Sequence, residues 1–148
     1  MADMAVEHEP IDRVDREILG ILREDGRIPW QTLAGRVHLS ANAVADRARR
    51  LQRRGIIRRY TAEVDHAAFG RDLEAVIDAI VPADEIDRFV DSMRTRDEVT
   101  WMAHITGRFD FRLNVSCAGT AGLDSLLTLM KDHGAGETNT TVVLRRLI

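Results

Sequence analysis

Residues 40–54 read SANAVADRARRLQRR, and this stretch decides what the N-terminal part of the chain is. Ser40 is an N-cap candidate, because its hydroxyl can accept a bond from one of the first unpaired amides of a helix. At about 100° per residue, Val44, Ala48 and Leu51 fall on one side, while Asn42, Asp46, Arg49 and Arg53 cluster around the opposite one. One side wants a core; the other wants water or phosphate. The stretch sets Arg47, Arg49, Arg50, Arg53 and Arg54 against the single acid Asp46. Between residues 36 and 60 there are 8 arginines and 1 acid, a local balance of +7 in a chain of net charge -3, which leaves -10 for the remainder. Bulk charge argues weakly against a nucleic-acid partner, and its concentration in one segment argues for one.

Working outward, residues 12–24 place Val14, Ile18, Ile21 and Leu22 at helical spacing behind Asp12, a second cap candidate. Asp25-Gly26 supplies the stop. Pro29 opens a shorter helix whose Trp30, Leu33, Ala34 and Val37 follow the i, i+3, i+4, i+7 pattern. His38, Leu39 and Ser40 then separate it from the basic helix, the turn length of a helix-turn-helix. Gly55 ends the basic helix, and residues 56–64 (IIRRYTAEV) read as extended. Residues 65–72 (DHAAFGRD) break the periodicity and are the linker candidate between residues 11–64 and residues 73–148.

The second half alternates differently. Residues 73–81 read as a buried strand, and residues 82–95 as a helix with Pro82 near its start and Ile86, Phe89, Val90 and Met93 on one face. A strand is expected over 99–106, then a turn at Gly107-Arg108-Phe109-Asp110. Phe111, Leu113 and Val115 alternate with Arg112, Asn114 and Ser116 in the clearest period-two signal of the chain. Residues 120–133 carry Leu123, Leu126, Leu127 and Met130 at helical spacing, Gly134 breaks the helix, and residues 137–144 form a last strand rich in threonine and valine. Strand, helix, strand, strand, helix, strand is the ferredoxin-like βαββαβ order, so the chain is α+β: a three-helix helix-turn-helix domain followed by a ferredoxin-like domain. Helices cover one face of such a sheet. The other face needs cover too, and self-association is the simplest source.

With 148 residues the chain has room for one ordinary domain or two small ones. The lone Cys117 excludes an internal disulfide and by itself a structural zinc site, which points to a reducing cytoplasm. Residues 1–10 lack the apolar stretch of a signal peptide and are read as a flexible tail. No run approaches the roughly 18 apolar residues of a membrane span.

The residues also resemble a known family. IDRVDREILGILREDGRI at 11–28, LAGRVHLS at 33–40, ARRLQRRGII at 48–57, YTAEVDHAAFG at 60–70, ITGRFDF at 105–111 and GAGETNTTVV at 134–143 are similar, in this order and spacing, to the Lrp/AsnC (feast/famine) regulators of prokaryotic transcription. The resemblance implies a DNA-binding helix-turn-helix domain joined to an effector-binding ferredoxin-like domain that pairs subunits into a homodimer and often into a higher assembly such as an octamer. Members usually have glycine in the turn before the leucine-serine pair. Here that position is His38, and histidine is among the residues more tolerant of positive φ.

On this reading double-stranded DNA is the first partner. Asn42, Asp46 and Arg49 lie on the exposed side of the N-terminal half of the basic helix, the part that enters the major groove in this motif, and are expected at base edges. Asn42 suits adenine and Arg49 guanine, while Asp46 can instead hold Arg49 or Arg50 through an i+3 or i+4 pair. Arg50, Arg53, Arg54, Arg58 and Arg59 are assigned to phosphates. By resemblance, Gly107, Arg108, Phe109 and Asp110 form the loop that binds a small effector, usually an amino acid, with Thr138 and Thr140 facing it. Turn chemistry alone accounts for the loop glycine and aspartate as well. Trp30, Trp101, Met93, Met102 and Met130 are read as core, His104 as a packing histidine and Cys117 as a small buried residue.

Two rival functions follow. One is a nucleoid-organising protein with little sequence preference. The other is an enzyme on the ferredoxin-like domain, opposed by the lack of a phosphate loop, a metal-ligand cluster or a nucleophile with its base. No cofactor and no membrane partner are expected.

Overall fold

The computed structural model describes residues 10–145 and residue 147, so the expected tail over residues 1–10 lies, apart from Pro10, outside the described residues. The chain divides into two units, one ending at Glu63 and the other beginning at Val64.

In the first unit, helices α1 (Arg13–Glu24), α2 (Trp30–Val37) and α3 (Ala41–Arg53) follow the spacing of their apolar residues. Asp12 caps α1 by accepting from the Asp15 amide at 2.7 Å, and Ser40 caps α3 by accepting from the Ala43 amide at 3.2 Å. Each cap satisfies an amide that has no partner inside its helix, a contribution of about 1 kcal/mol. Pro29 precedes α2, where its missing N–H costs nothing. The three helices bury Ile18, Leu33, Val37 and Val44 as one cluster, and Ala48, Leu51 and Ile57 as a second. Each fully buried aliphatic side chain contributes roughly 1.5–3 kcal/mol, so these clusters, not local propensity, hold α2 and α3 at their turn. Past Gly55, residues 56–63 form no strand; Ile56 and Ile57 fold back to donate to the Leu51 carbonyl at 2.9 and 3.2 Å.

The second unit is a four-stranded antiparallel sheet in the order β2-β3-β1-β4, built from β1 (Leu73–Ala79), β2 (Val99–His104), β3 (Phe111–Cys117) and β4 (Thr138–Val142). Helices α4 (Ile86–Arg94) and α5 (Gly119–Asp132) cover one face. That face carries Ala75, Ile77 and Ala79 of β1 and Phe111, Leu113 and Val115 of β3, against Phe89 and Met93 of α4 and Leu123, Leu126 and Met130 of α5. The period of two chooses these residues, because alternate side chains of a strand share a face. The expected linker over 65–72 is on the second unit's side of the division and carries a 3-10 turn, His66–Phe69, capped by Asp65.

Several expectations need correction. Helix α4 starts at Ile86 and not at Pro82, which instead opens a turn closed by the Glu85 amide donating to the Pro82 carbonyl at 2.9 Å. Trp30 and Trp101 are not core: they are 38% and 48% exposed. A register shift between Val99 and Trp101 puts Trp101 opposite Asn114, on the face of the sheet that the helices leave open. Met93 and Met130 are fully buried, whereas Met102 is only partly buried against the same cluster. His104 stacks on Phe111 with centroids 4.8 Å apart but keeps an exposed edge. Cys117 is buried as expected, and burial raises its thiol pKa.

Gly134 ends α5 at φ 102, and a Cβ there would lie 2.6 Å from Cβ of Glu85. Both the backbone region and the close approach require glycine. Gly134→Ala is therefore expected to destabilise the second unit by about 1–3 kcal/mol, read as a lowered urea midpoint with an unchanged slope.

Candidate nucleic-acid interface and effector loop

The turn before α3 depends on one residue. His38 sits at φ 56 and ψ 43, the only positive φ at a non-glycine among the described residues, and its amide donates to the Ala34 carbonyl. Histidine thus does the work of the glycine usual at this place, and α3 leaves the turn with its buried side fixed by Val44, Ala45, Ala48 and Leu51. Asn42, Asp46, Arg49 and Arg53 are all exposed on its outer side, together as the helical spacing requires.

The arginines of α3 are held in two different ways. Arg49 Nη1 donates to Asp46 Oδ1 at 2.6 Å, but both side chains are mostly in water, so this i,i+3 pair contributes about 0–1 kcal/mol and releases Arg49 readily. Of the two partners foreseen for Asp46, Arg49 is the one it takes. Arg50, expected at a phosphate, is instead tied inward: its Nη2 lies 3.0 Å from Oδ2 of Asp15, a carboxylate only 2% exposed. Arg47 Nη1 donates to the same Asp15 at 2.8 Å and to Asp12 at 2.5 Å. The Asp15 amide, and after it the Arg47 guanidinium, hold the Asp12 carboxyl below the usual carboxylate range. Arg58 and Arg59 follow the helix in the irregular segment and are exposed.

In the second unit the loop from Gly107 to Asp110 joins β2 to β3. Gly107 has φ 120. The Asp110 backbone accepts from the Ile105 amide at 2.7 Å and donates to the Ala79 carbonyl at 3.0 Å, while Asp110 Oδ2 accepts from the Val81 amide at 2.9 Å. Asp110 is therefore partly a structural strut, which the turn composition did not reveal. Thr138 pairs with Ala79 and Thr140 with Ile77, so Thr138 is tied to the same β1 residue as Asp110, and Thr140 lies two residues further along. Both threonines are half-buried on the helix-covered side of the edge strand.

Two ion pairs of this region escaped the sequence reading. Arg108 makes an ion pair with Glu137, just before β4, and lies over the Phe109 ring at 5.1 Å from its centroid. On the open face, Arg112 Nε donates to Asp78 Oδ1 at 2.7 Å; this hydrogen bond lowers the pKa of Asp78 against the opposing effect of its burial. Both pairs join residues about 30 positions apart, and only strand register shows that they meet.

No helix among the described residues is long and apolar enough to cross a membrane, and none of their His, Cys, Asp and Glu side chains cluster in a way that could hold a metal ion.

A capped, basic helix presented by a helix-turn-helix, on the same chain as a ferredoxin-like unit, is the architecture of a two-domain DNA-binding regulator. Known proteins agree. The AsnC-type helix-turn-helix domain matches residues 11–52 and the Lrp/AsnC ligand binding domain matches residues 74–148. The chain belongs to the Lrp/AsnC family of transcription regulators. The HTH-type transcriptional regulator AldR of Mycolicibacterium smegmatis is 32% identical, over 93% of this chain and 83% of that protein. The leucine-responsive regulatory protein of Escherichia coli is 30% identical, over 93% of this chain and 87% of its own length. Among solved structures, the transcriptional regulator NMB0573 of Neisseria meningitidis, in complex with L-Met, superposes with a TM-score of 0.87 at 27% identity, covering 94% of this chain and 93% of that one. These relatives are regulators, not enzymes.

Proposed function

We propose that this regulator recognises its operator through Asn42, Asp46 and Arg49 of α3 and binds as a homodimer, or a larger assembly such as an octamer, whose subunits pair through the ferredoxin-like unit. Residues 11–64 form the DNA-binding part, 65–72 the connection, and 73–148 the effector-binding and pairing part. The observation that carries this reading is the outer side of α3, where an exposed amide and a weakly held guanidinium stand together on a helix fixed by its cap and its buried side. Arg53, Arg54, Arg58 and Arg59 grip phosphates, which position the protein without reading sequence. The open sheet face, with Trp101 exposed on it, supports pairing between copies. A cytoplasmic location fits a DNA-binding regulator.

The effector is an amino acid or a close analogue, held at Gly107, Arg108, Phe109 and Asp110 beside Thr138 and Thr140. The L-Met complex of a structural neighbour supports this class of ligand. Arg108 is the natural seat for the α-carboxylate once it leaves Glu137, and the free oxygen of Asp110 suits the α-ammonium. Binding regulates only if two assemblies or domain arrangements differ in affinity for the ligand.

Two experiments test the reading. Binding-site selection from genomic DNA is expected to return a defined motif; an even spread over random DNA would favour the nucleoid-organising alternative. Calorimetric titration with the common amino acids is expected to find one or a few that bind the wild type, with about tenfold or greater loss in Arg108→Ala from the lost charge-assisted contact. Equal binding by both would remove the loop from the site.

A further inference from the structure

Two carboxylates at the start of α1 pair with two arginines of α3. Asp12 Oδ1 accepts from the Asp15 amide, and its Oδ2 accepts from Arg47 at 2.5 Å. Asp15, with its side chain 2% exposed, accepts from Arg47 at 2.8 Å and from Arg50 at 3.0 and 3.3 Å. Arg47 and Arg50 are still 27% and 46% exposed, so water reaches both guanidinium groups. By helical position they occupy the flank of α3 between its core side and its outer side, next to the face assigned to DNA. Pulling either one away would leave a desolvated carboxylate short of a partner, a cost that the exposed Arg49–Asp46 pair does not carry.

We propose that Asp12 and Asp15 are specificity-determining positioning residues for DNA binding: they withhold Arg47 and Arg50 from the phosphates and fix the roll of α3, so that affinity rests on base contacts more than on indiscriminate charge. The inference rests on the DNA-binding function of the family and adds a limit on its electrostatic part. Each arginine that engages a phosphate adds affinity for every sequence, and discrimination is the ratio between operator and random DNA.

The test measures affinity for a random-sequence duplex and for the selected operator as a function of salt. In Asp15→Asn, random-DNA affinity at about 100 mM salt is expected to rise about five- to tenfold per freed arginine, and the slope of log affinity on log salt to steepen by about 0.9 for each. The operator-to-random ratio falls. Asp12→Asn keeps the helix cap, since asparagine caps as well as aspartate, and gives a smaller change of the same sign through Arg47 alone. It carries the test should Asp15→Asn fail to fold, as judged by thermal melting. In the double variant Asp15→Asn with Arg50→Ala, the slope returns toward that of the wild type, which a merely structural role for Asp15 would not produce. Glu24→Gln, which removes an exposed acid elsewhere on α1, leaves the slope unchanged and controls for net charge. Wild-type slopes and random-DNA affinities in both aspartate variants would overturn the inference while leaving the DNA-binding function intact. A wild-type protein without affinity for DNA would overturn both.

Discussion

Raising the salt concentration from about 50 to 200 mM is expected to weaken operator binding by roughly 10³–10⁵. The physical cause is the return of condensed counterions to phosphates that the protein had neutralised. Arg53, Arg54, Arg58 and Arg59 give four candidate contacts per protomer, about eight in a dimer, which falls within the range of 6–10 contacts that produces such a loss. Arg50 is counted apart from this set because its partner Asp15 is only 2% exposed, so that releasing the guanidinium would strand a desolvated carboxylate. Fluorescence anisotropy on a labelled operator duplex measures the slope directly. Arg59→Ala should make it shallower by about 1.8 in the dimer, one contact on each protomer, and should weaken operator and random DNA alike. A flat salt dependence would mean that these arginines form only a solvated surface.

The second large effect is expected in the core of the ligand-binding unit. Phe89 is fully buried under the sheet, its ring 5.3 Å from that of Phe111 and tilted by 54°. Phe89→Ala removes the largest fully buried side chain of the unit and leaves a cavity between α4 and the sheet, a loss of about 3–5 kcal/mol. Domains of this size are stable by only about 5–15 kcal/mol, so most of the margin goes and the urea midpoint should fall accordingly. Phe69→Ala is the control, because Phe69 is 64% exposed and its removal should change stability by no more than about 0.5 kcal/mol. Similar losses in both variants would contradict the placement of the core.

Local signals carried most of the architecture. The three helices of the first unit, the caps at Asp12 and Ser40, the turn at His38 and the β2–β3 hairpin all depend on residues within a few positions of one another, and they are where the period and the turn residues put them, except that β2 ends at His104 and not at residue 106. The ferredoxin-like class followed from the order of elements along the chain. What stayed hidden depends on register and on contacts across long separations. The pairing of Arg50 with Asp15 was hidden because the two are 35 residues apart. Trp101 looked like core because a large aromatic in a strand usually is, and nothing in the sequence marked the bulge that turns it to the open face. Glu137 was taken only as the first residue of a strand, and its ion pair with Arg108 appears once β4 is laid beside β1. Asp110 carried a backbone strut that its turn position concealed.

The central claim is that α3 reads bases, and Arg49 tests it most directly because its ion pair with Asp46 is exposed and holds nothing else in place. The measurement compares wild type with Arg49→Ala on the selected operator and on a random duplex of the same length. Operator affinity should fall by about 1–3 kcal/mol, roughly five- to 150-fold, for each half-site the dimer occupies, with discrimination relaxed at one base pair of each half-site and random-DNA affinity nearly unchanged. An equal loss on both duplexes would make Arg49 one more phosphate contact and would contradict the assignment of the outer side of α3 to sequence readout.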